Sequence, residues 1–462
     1  MDEIYLRALL EHATSEEPSM GQLVENSLHA GKRLARRRRI EGAIAAAVGV
    51  ALVGIAIPAA LGALSADHHS RSHPAPATHP IRPRGTAYAW TITLPNGYGA
   101  SHALTVIRLR DGKGLAPVRL NGELDDVLAA PDGRTLYAFT DKGDGVEYYL
   151  TPISTATDKA GRAIKLSIGV PETAIFEIAP NGRFADGFLV SGTRTKFVSM
   201  NLRTGAWREV VALSTVNTEP TNFAITPDGR TAYVAAYANG IFAVNLAKGT
   251  VLPIRLPGGQ AVDVAITPNG KTAYATSRTM TGNSKAGTGH TETWVTPIDV
   301  ATNNAGTSIK VRAQHQDSSN IAITPDGRTA YLYGGPNVVP VSLRSGRVLR
   351  PIFVANENWV EDLVISPNGK TAYALPGSGF LLPISTRTNK ALSPVYLPAG
   401  YTEGGPGEAF DASGEILYQP AYIAGPTGAN EGVLIPIDTA TQQVGKIIKV
   451  GRGITEQVVI VP

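Results

Sequence analysis

The chain has 462 residues, a formal net charge of +4 and no cysteine, which excludes disulfides, thiol nucleophiles and Cys-ligated metals. Its 49 glycines and 32 prolines suit many short strands joined by turns. From residue 84 onward 33 Lys and Arg stand against 30 Asp and Glu, a near balance that argues against nucleic acid as a partner.

Residues 1–39 are polar, with short amphipathic helices expected around Ile4–Leu10 and Leu23–Leu28. They end in a basic run with six Lys or Arg in the eight positions Lys32–Arg39. Residues 40–64 follow. From Gly42 to Leu64 there is no charge, and about 20 such apolar residues span a bilayer as a helix. Pro58 is tolerated in such a span. The basic flank then places the N-terminus in the cytoplasm and the bulk of the chain outside it. A cleaved signal peptide is the alternative, but its charged lead would be unusually long and Ala63-Leu64-Ser65 is only a fair cleavage site. Residues 65–83, rich in Pro, Ser and His, predict an extended linker. His68, His69, His73 and His79 within it form at most a weak metal tract beside their simpler role in a solvated spacer.

Residues 84–462 are organised by a repeat. Ile225-Thr226-Pro227-Asp228-Gly229-Arg230-Thr231-Ala232-Tyr233 returns as Ile266–Tyr274, Ile323–Tyr331 and Ile365–Tyr373. Weaker copies lie at Ala129–Tyr137, Ile178–Phe184 and Phe410–Tyr418, where Ala412-Ser413-Gly414 replaces Pro-Asp-Gly. Asp-Gly and Asn-Gly suit a tight hairpin turn because both tolerate positive φ. The proline before them lacks an N–H and closes the preceding strand. Apolar segments on both sides, then pairs such as Thr293–Asp299 with Gly306–Val311, predict four antiparallel strands per unit. That is the blade of a β-propeller.

Two half-units complete the count. Arg84-Gly85-Thr86-Ala87-Tyr88 matches the start of a second strand with no first strand before it, and Val459-Ile460-Val461-Pro462 matches the end of a first strand. The C-terminus is therefore expected to supply the inner strand of the first blade and hide both sheet edges. This predicts an all-β, eight-bladed propeller of about 47 residues per blade; seven blades, at about 54, fit the spacing less well.

The repeats resemble those of the YVTN β-propeller family, in which a Ser/Thr-Pro-Asp-Gly turn precedes a Tyr-Val strand and an Ile-Asp-Thr segment. Thr226–Val234, Ile298-Asp299 and Ile437-Asp438-Thr439 carry the likeness, while Ala235-Ala236 replaces the family's Thr-Asn. The resemblance implies the fold. Propellers of this type include binding and surface proteins, and relatives of the fold include lactonases and quinoprotein dehydrogenases, so it names no single activity.

In a propeller the inner strands line a channel and begin at a shared funnel. Five positions before the turn proline, or its equivalent, stand Asp126, Ile175, Asn222, Asp263, Asn320, Asp362, Gly407 and Gln457. Six of these are polar: Asp126, Asn222, Asp263, Asn320, Asp362 and Gln457 form the candidate ligand ring. Further acids precede them at Asp125, Glu172, Glu219, Asp317, Glu361, Glu408 and Glu456. Oxygen ligands with no Cys suit a hard cation, so Ca²⁺ on Asp126, Asp263 and Asp362 is the metal option. The simpler reading is that these side chains cap strands and tie blades together around a wet channel. His102, His290 and His315 form no nucleophile–base pattern. Gly282–Gly289 lacks a Gly-Lys-Ser/Thr ending and reads as a loop between strands. Trp90, Trp207 and Trp294 suit blade packing, whereas Trp359 is placed to line the funnel.

The expected function is a membrane-anchored, extracytoplasmic, monomeric propeller that binds a protein, peptide or cell-envelope glycan without catalysis. The alternative is a metal-assisted, lactonase-like hydrolase, and a further idea is signal relay through residues 1–39.

Overall fold

The computed structural model describes residues 85–93, 101–142, 147–166, 173–191, 194–213, 220–236, 240–281, 290–311, 320–354, 359–405, 407–425 and 430–461. They fall in the compact unit Pro83–Pro462. The expected membrane helix at 40–64 and the segments beside it lie outside the described residues. Among the described residues no helix is long and apolar enough to cross a membrane.

Eight sheets of four principal strands follow one another, which settles the count at eight blades. Blade 1 joins Thr86–Thr93, Ser101–Arg108 and Lys113–Gly114 to the C-terminal strand Ile454–Val461. The closing register repeats that of the intact blades: Ala87 faces Ile460 as Ala232 faces Ile225 and Ala273 faces Ile266. The inner strands of blades 2 to 7 are Glu123–Ala129, Thr173–Ile178, Pro220–Ile225, Gln260–Ile266, Asn320–Ile323 and Asp362–Ile365. That of blade 8 is broken into Tyr401–Glu403 and Ala409–Phe410.

The repeated turn differs in one respect from the sequence expectation. Gly229 adopts φ 67°, but Asp228 does not enter the left-handed region. The Gly229 N–H donates to the Thr226 carbonyl at 2.7 Å, so Pro227 and Asp228 fill the centre of a β-turn and glycine follows it. Proline suits the first central position because its φ is already set. The motif's Thr or Ser then acts as a clasp. Thr226 Oγ1 donates to Asp228 Oδ1 at 2.6 Å and accepts the Thr231 N–H at 3.0 Å. The same pair of bonds recurs at Thr267, Thr324 and Ser366. The hydroxyl bond holds the Asp228 and Asp326 carboxyls below the usual carboxylate range. In blade 8 the partners are exchanged. Ser413 Oγ donates to Asp411 Oδ2 at 2.7 Å, and Asp411 Oδ1 accepts the Ile416 N–H at 3.1 Å. The copy that looks degenerate in sequence therefore keeps its clasp.

The motif's tyrosine bolts neighbouring blades. Tyr88, Tyr233, Tyr331 and Tyr373 are buried, and their hydroxyls donate to Asp158, Asn303, Asn389 and Gln442 at 2.5, 2.7, 2.6 and 3.0 Å. These four acceptors sit in the turn between the third and fourth strands of the next blade. They are also the four non-glycine residues with positive φ among the described residues. A left-handed residue turns its side chain toward the preceding blade, and Asn or Asp tolerates that conformation best. Elsewhere the turn carries Gly112, Gly205, Gly249 or Gly346 and offers no acceptor. Blade 3 has Asp186 in place of tyrosine, and Arg208 reaches instead to the Leu246 carbonyl of blade 4 at 2.6 Å.

Opposite the tyrosine, five third strands carry a proline, at positions 152, 297, 340, 383 and 436. Without an N–H it cannot extend the ladder outward. In blades 2, 6 and 7 the fourth strand accordingly breaks there into two pieces. Short, interrupted outer strands make poor templates for edge-to-edge association.

The candidate funnel at the channel mouth

The six predicted ring residues lie at one level of the propeller. Each pairs with the residue two beyond the motif's tyrosine position: Asp126 with Phe139, Asn222 with Ala235, Asp263 with Thr276, Asn320 with Tyr333, Asp362 with Leu375 and Gln457 with Trp90. Four of them follow a register shift, with Asp125, Thr221, Val262 and Glu456 as the extra residues. A bulge re-aims the side chain next to it, and nothing in the sequence pattern announced these four.

Much of the ring's bonding capacity is used within the protein. Asp126, Asn222, Asp263 and Asp362 each accept the N–H of the following residue on Oδ1, at 2.7 to 2.9 Å. Asp263, 4% exposed, also joins three blades. Its Oδ1 accepts from Asn222 Nδ2 of blade 4 at 2.5 Å, and its Oδ2 accepts the Ile321 N–H of blade 6 at 2.9 Å. Tyr333 OH contacts Asp362 Oδ1 at 3.4 Å, and burial pushes that phenol well up. Capping of backbone N–H groups is thus visible at Asp126, Asn222, Asp263 and Asp362. Asp126, Asp263 and Asp362 stand on blades 2, 5 and 7. Among the described residues no three His, Cys, Asp or Glu are grouped as a metal ion would need.

A second feature, absent from the six ring positions, appears where blade 8 meets blades 7 and 1. The broken inner strand runs through Gly404, Gly405 and Gly407 directly against the closing strand. Gly405 N–H donates to the Thr455 carbonyl at 3.3 Å and Val458 N–H to the Gly407 carbonyl at 2.9 Å. A Cβ on Gly404 would overlap the Thr455 carbonyl oxygen, so only glycine permits this backbone approach.

Beside this seam lies Glu408. Its Oε1 accepts from Gln419 Nε2 at 3.1 Å, while its Oε2 is shut from solvent and has no partner. Burial raises its pKa to about 8, and the negative charges of Asp362 and Glu403 add to the effect. Gln419 is 1% exposed. Its Nε2 also donates to the Pro420 carbonyl at 3.0 Å, leaving Oε1 buried without a bond. Gln457 Oε1, next to Gly407, is likewise unbonded. Glu408 was legible in the sequence only as one of seven upstream acids. Gln419 was missed, although a glutamine after Leu417-Tyr418, where other copies continue with apolar residues, was a usable signal.

Trp359 stands three residues before Asp362 and is 50% exposed. Trp207 is partly buried in a blade core, and Trp294 lies under Lys310 Nζ at 5.1 Å. His315 and residues 282–289 lie outside the described residues.

No protein-family model and no curated protein sequence matches the chain. Solved structures do. Dihydro-heme d1 dehydrogenase NirN, in complex with DHE, superposes with a TM-score of 0.59 at 12% identity, covering 83% of this chain and 76% of that one. AztD from Citrobacter koseri superposes with a TM-score of 0.52 at 14% identity, covering 81% of this chain and 97% of that one; its apo structure gives 0.51. At such identities the likeness shows the fold, an eight-bladed β-propeller, and no activity.

Proposed function

We propose that the chain is a non-enzymatic binding module: a propeller with YVTN-type repeats, held outside the cytoplasm by a single transmembrane helix at 40–64, that takes a protein, peptide or envelope-glycan ligand at its channel mouth. The observation that carries this reading is the mouth at blades 7 and 8. There an exposed Trp359 stands three residues from Asp362, and buried acceptors of Glu408 and Gln419 have no protein partner. Exposed aromatic surface with a few convergent polar groups is the usual composition of a ligand site. The uncharged stretch Gly42–Leu64 behind six basic residues supports the anchor and its orientation. A metal-assisted hydrolase would draw on Asp126, Asp263 and Asp362, three residues on three blades whose Oδ1 atoms already serve backbone amides.

Two experiments test the reading. The full chain in detergent is screened against peptide and envelope-glycan panels, with Trp359→Ala as control; hits that ignore the substitution place binding elsewhere. For location, the absence of cysteine allows a single Tyr396→Cys probe at a residue 67% exposed. A membrane-impermeant maleimide should label it in intact cells, and labelling only after lysis would reverse the topology.

A further inference from the structure

Within the anchored reading, on which this rests, we infer that the propeller docks on its own membrane. The face carrying the repeated turns meets anionic phospholipid headgroups through a ring of Arg and Lys, and the mouth is left pointing away from the bilayer. The repeat builds the ring. In all eight blades the residue just before the second strand accepts, on its carbonyl, the N–H of the residue just after the third, at 2.9 to 3.2 Å. Those eight positions therefore share one height. They are Gly85, Glu415 and six basic residues: Arg134, Arg183, Arg230, Lys271, Arg328 and Lys370. All six are exposed. Among the described residues their ion pairs are those of Arg230 with Asp228 and Arg328 with Asp326, both at 3.9 Å, and exposed pairs of that kind are weak.

The acids on this face are engaged. Oδ1 of Asp132, Asp228 and Asp326 accepts the N–H of the basic residue two places on, at 2.9 to 3.0 Å. Before Arg183, Lys271 and Lys370 the matching residue is a neutral asparagine. The turns between third and fourth strands, tied to the ring by the same bonds, add further cations such as Arg203 and Lys248. Their acids Asp111 and Asp158 are held by Arg108 and Tyr88. At the mouth the six ring positions include Asp126, Asp263 and Asp362 and no basic residue. Two arguments name the membrane as the partner. The chain enters the propeller on the basic face, since Gly85 holds the ring position of blade 1. A linker at 65–83 reaches roughly 60 Å when extended, so the tether alone lets either face settle and charge decides between them. Each Lys or Arg that reaches an anionic bilayer surface favours docking about fivefold, while the same surface repels an acidic mouth.

The test places the full chain in lipid nanodiscs of phosphatidylcholine, with or without phosphatidylglycerol, that carry a headgroup spin label. With no native cysteine, a fluorophore is attached at one of two sites. Ala247→Cys is exposed in the turn whose Leu246 N–H meets the Arg230 carbonyl. Tyr396→Cys is exposed opposite Phe380, at the mouth end of its blade. The Ala247 probe should be quenched in discs containing phosphatidylglycerol. Quenching should fall about fivefold or more in phosphatidylcholine alone, and likewise in about 1 M salt, where screening acts within about 3 Å. The Tyr396 probe should stay bright throughout. Arg230→Gln, Lys271→Gln and Arg328→Gln together should abolish the Ala247 signal with an unchanged urea midpoint. Equal quenching of both probes, no quenching, or quenching indifferent to phosphatidylglycerol, salt or the triple change overturns the docked face. So does a ring that binds soluble polyphosphate while the Ala247 probe stays bright, which would assign it to an anionic wall polymer. A chain that fails to enter the discs removes the anchored reading and this inference with it; an inserted chain with an unquenched probe removes the docking alone.

Discussion

The hydroxyl of Tyr331 in blade 6 donates to Oδ1 of Asn389 in blade 7 at 2.6 Å, across 58 residues of sequence. Asn389 holds φ 51°, and that backbone aims its amide at the neighbouring blade. Three more pairs repeat the arrangement, so half of the eight blade junctions carry the same bolt. Tyr331→Phe should lower stability by about 0.5–1.5 kcal/mol, and Asn389→Gly, which keeps the conformation but strands a buried phenol, by about 1–3 kcal/mol. In a double-mutant cycle followed by urea unfolding, the two losses should not add.

The junction between blades 8 and 1 lacks that bolt. Tyr418 is buried with its hydroxyl unbonded, and the equivalent turn position is Gly112 at φ 66°. A Cβ there meets only Ile448, at 3.4 Å. Gly112→Asn should stabilise by about 0.5–1 kcal/mol, since asparagine tolerates the left-handed region and supplies the missing acceptor. The gain should vanish in a Tyr418→Phe background; a gain that persists would assign it to the unfolded chain instead.

Asp263 serves three blades, so its removal is expected to be structural first. Asp263→Ala strands the N–H groups of Val264 and Ile321 and the amide of Asn222, costing about 2–4 kcal/mol. Gln457→Ala at the same level, where Oε1 bonds nothing, should cost less than about 1 kcal/mol. Comparable midpoints for the two variants in denaturant would contradict this division of the ring.

The backbone seam at Gly404 admits no side chain. Gly404→Ala forces the chain off the Thr455 carbonyl and should destabilise by about 3 kcal/mol or more. Hydrogen exchange should localise the damage to 454–461, because opening blade 8 here releases the closing strand.

The pH dependence follows from Glu408. Its pKa rises from 4.5 to about 8, through burial first and the Asp362 charge second. Between those values the folded state keeps a proton that the unfolded chain has released. Stability from this group is therefore full below about 4.5 and lost as pH rises toward about 8. Wild type should lose more stability than Glu408→Gln between pH 5.5 and pH 8.5 in urea titrations. Parallel curves would show that the carboxyl is already ionised at neutral pH.

The amino-acid order by itself determined the strand rhythm, the number of blades and the closure of Thr86–Thr93 by Ile454–Val461. Each of these rests on chemistry between adjacent residues: a proline that ends a strand, a glycine that turns it, alternation that continues it. It also placed the six ring residues at one level, since equal spacing from a repeated turn means equal height. Tertiary structure alone decided where their bonds go. Asp263 draws its partners from Asn222 and Ile321, 41 and 58 positions away. Glu408 owes its raised pKa to burial, to Asp362 one blade over and to Glu403. Bulges at Asp125, Thr221, Val262 and Glu456 likewise arise from pairing with a second strand. No local pattern encodes them, because the energy that fixes them belongs to contacts formed only when the ring is shut.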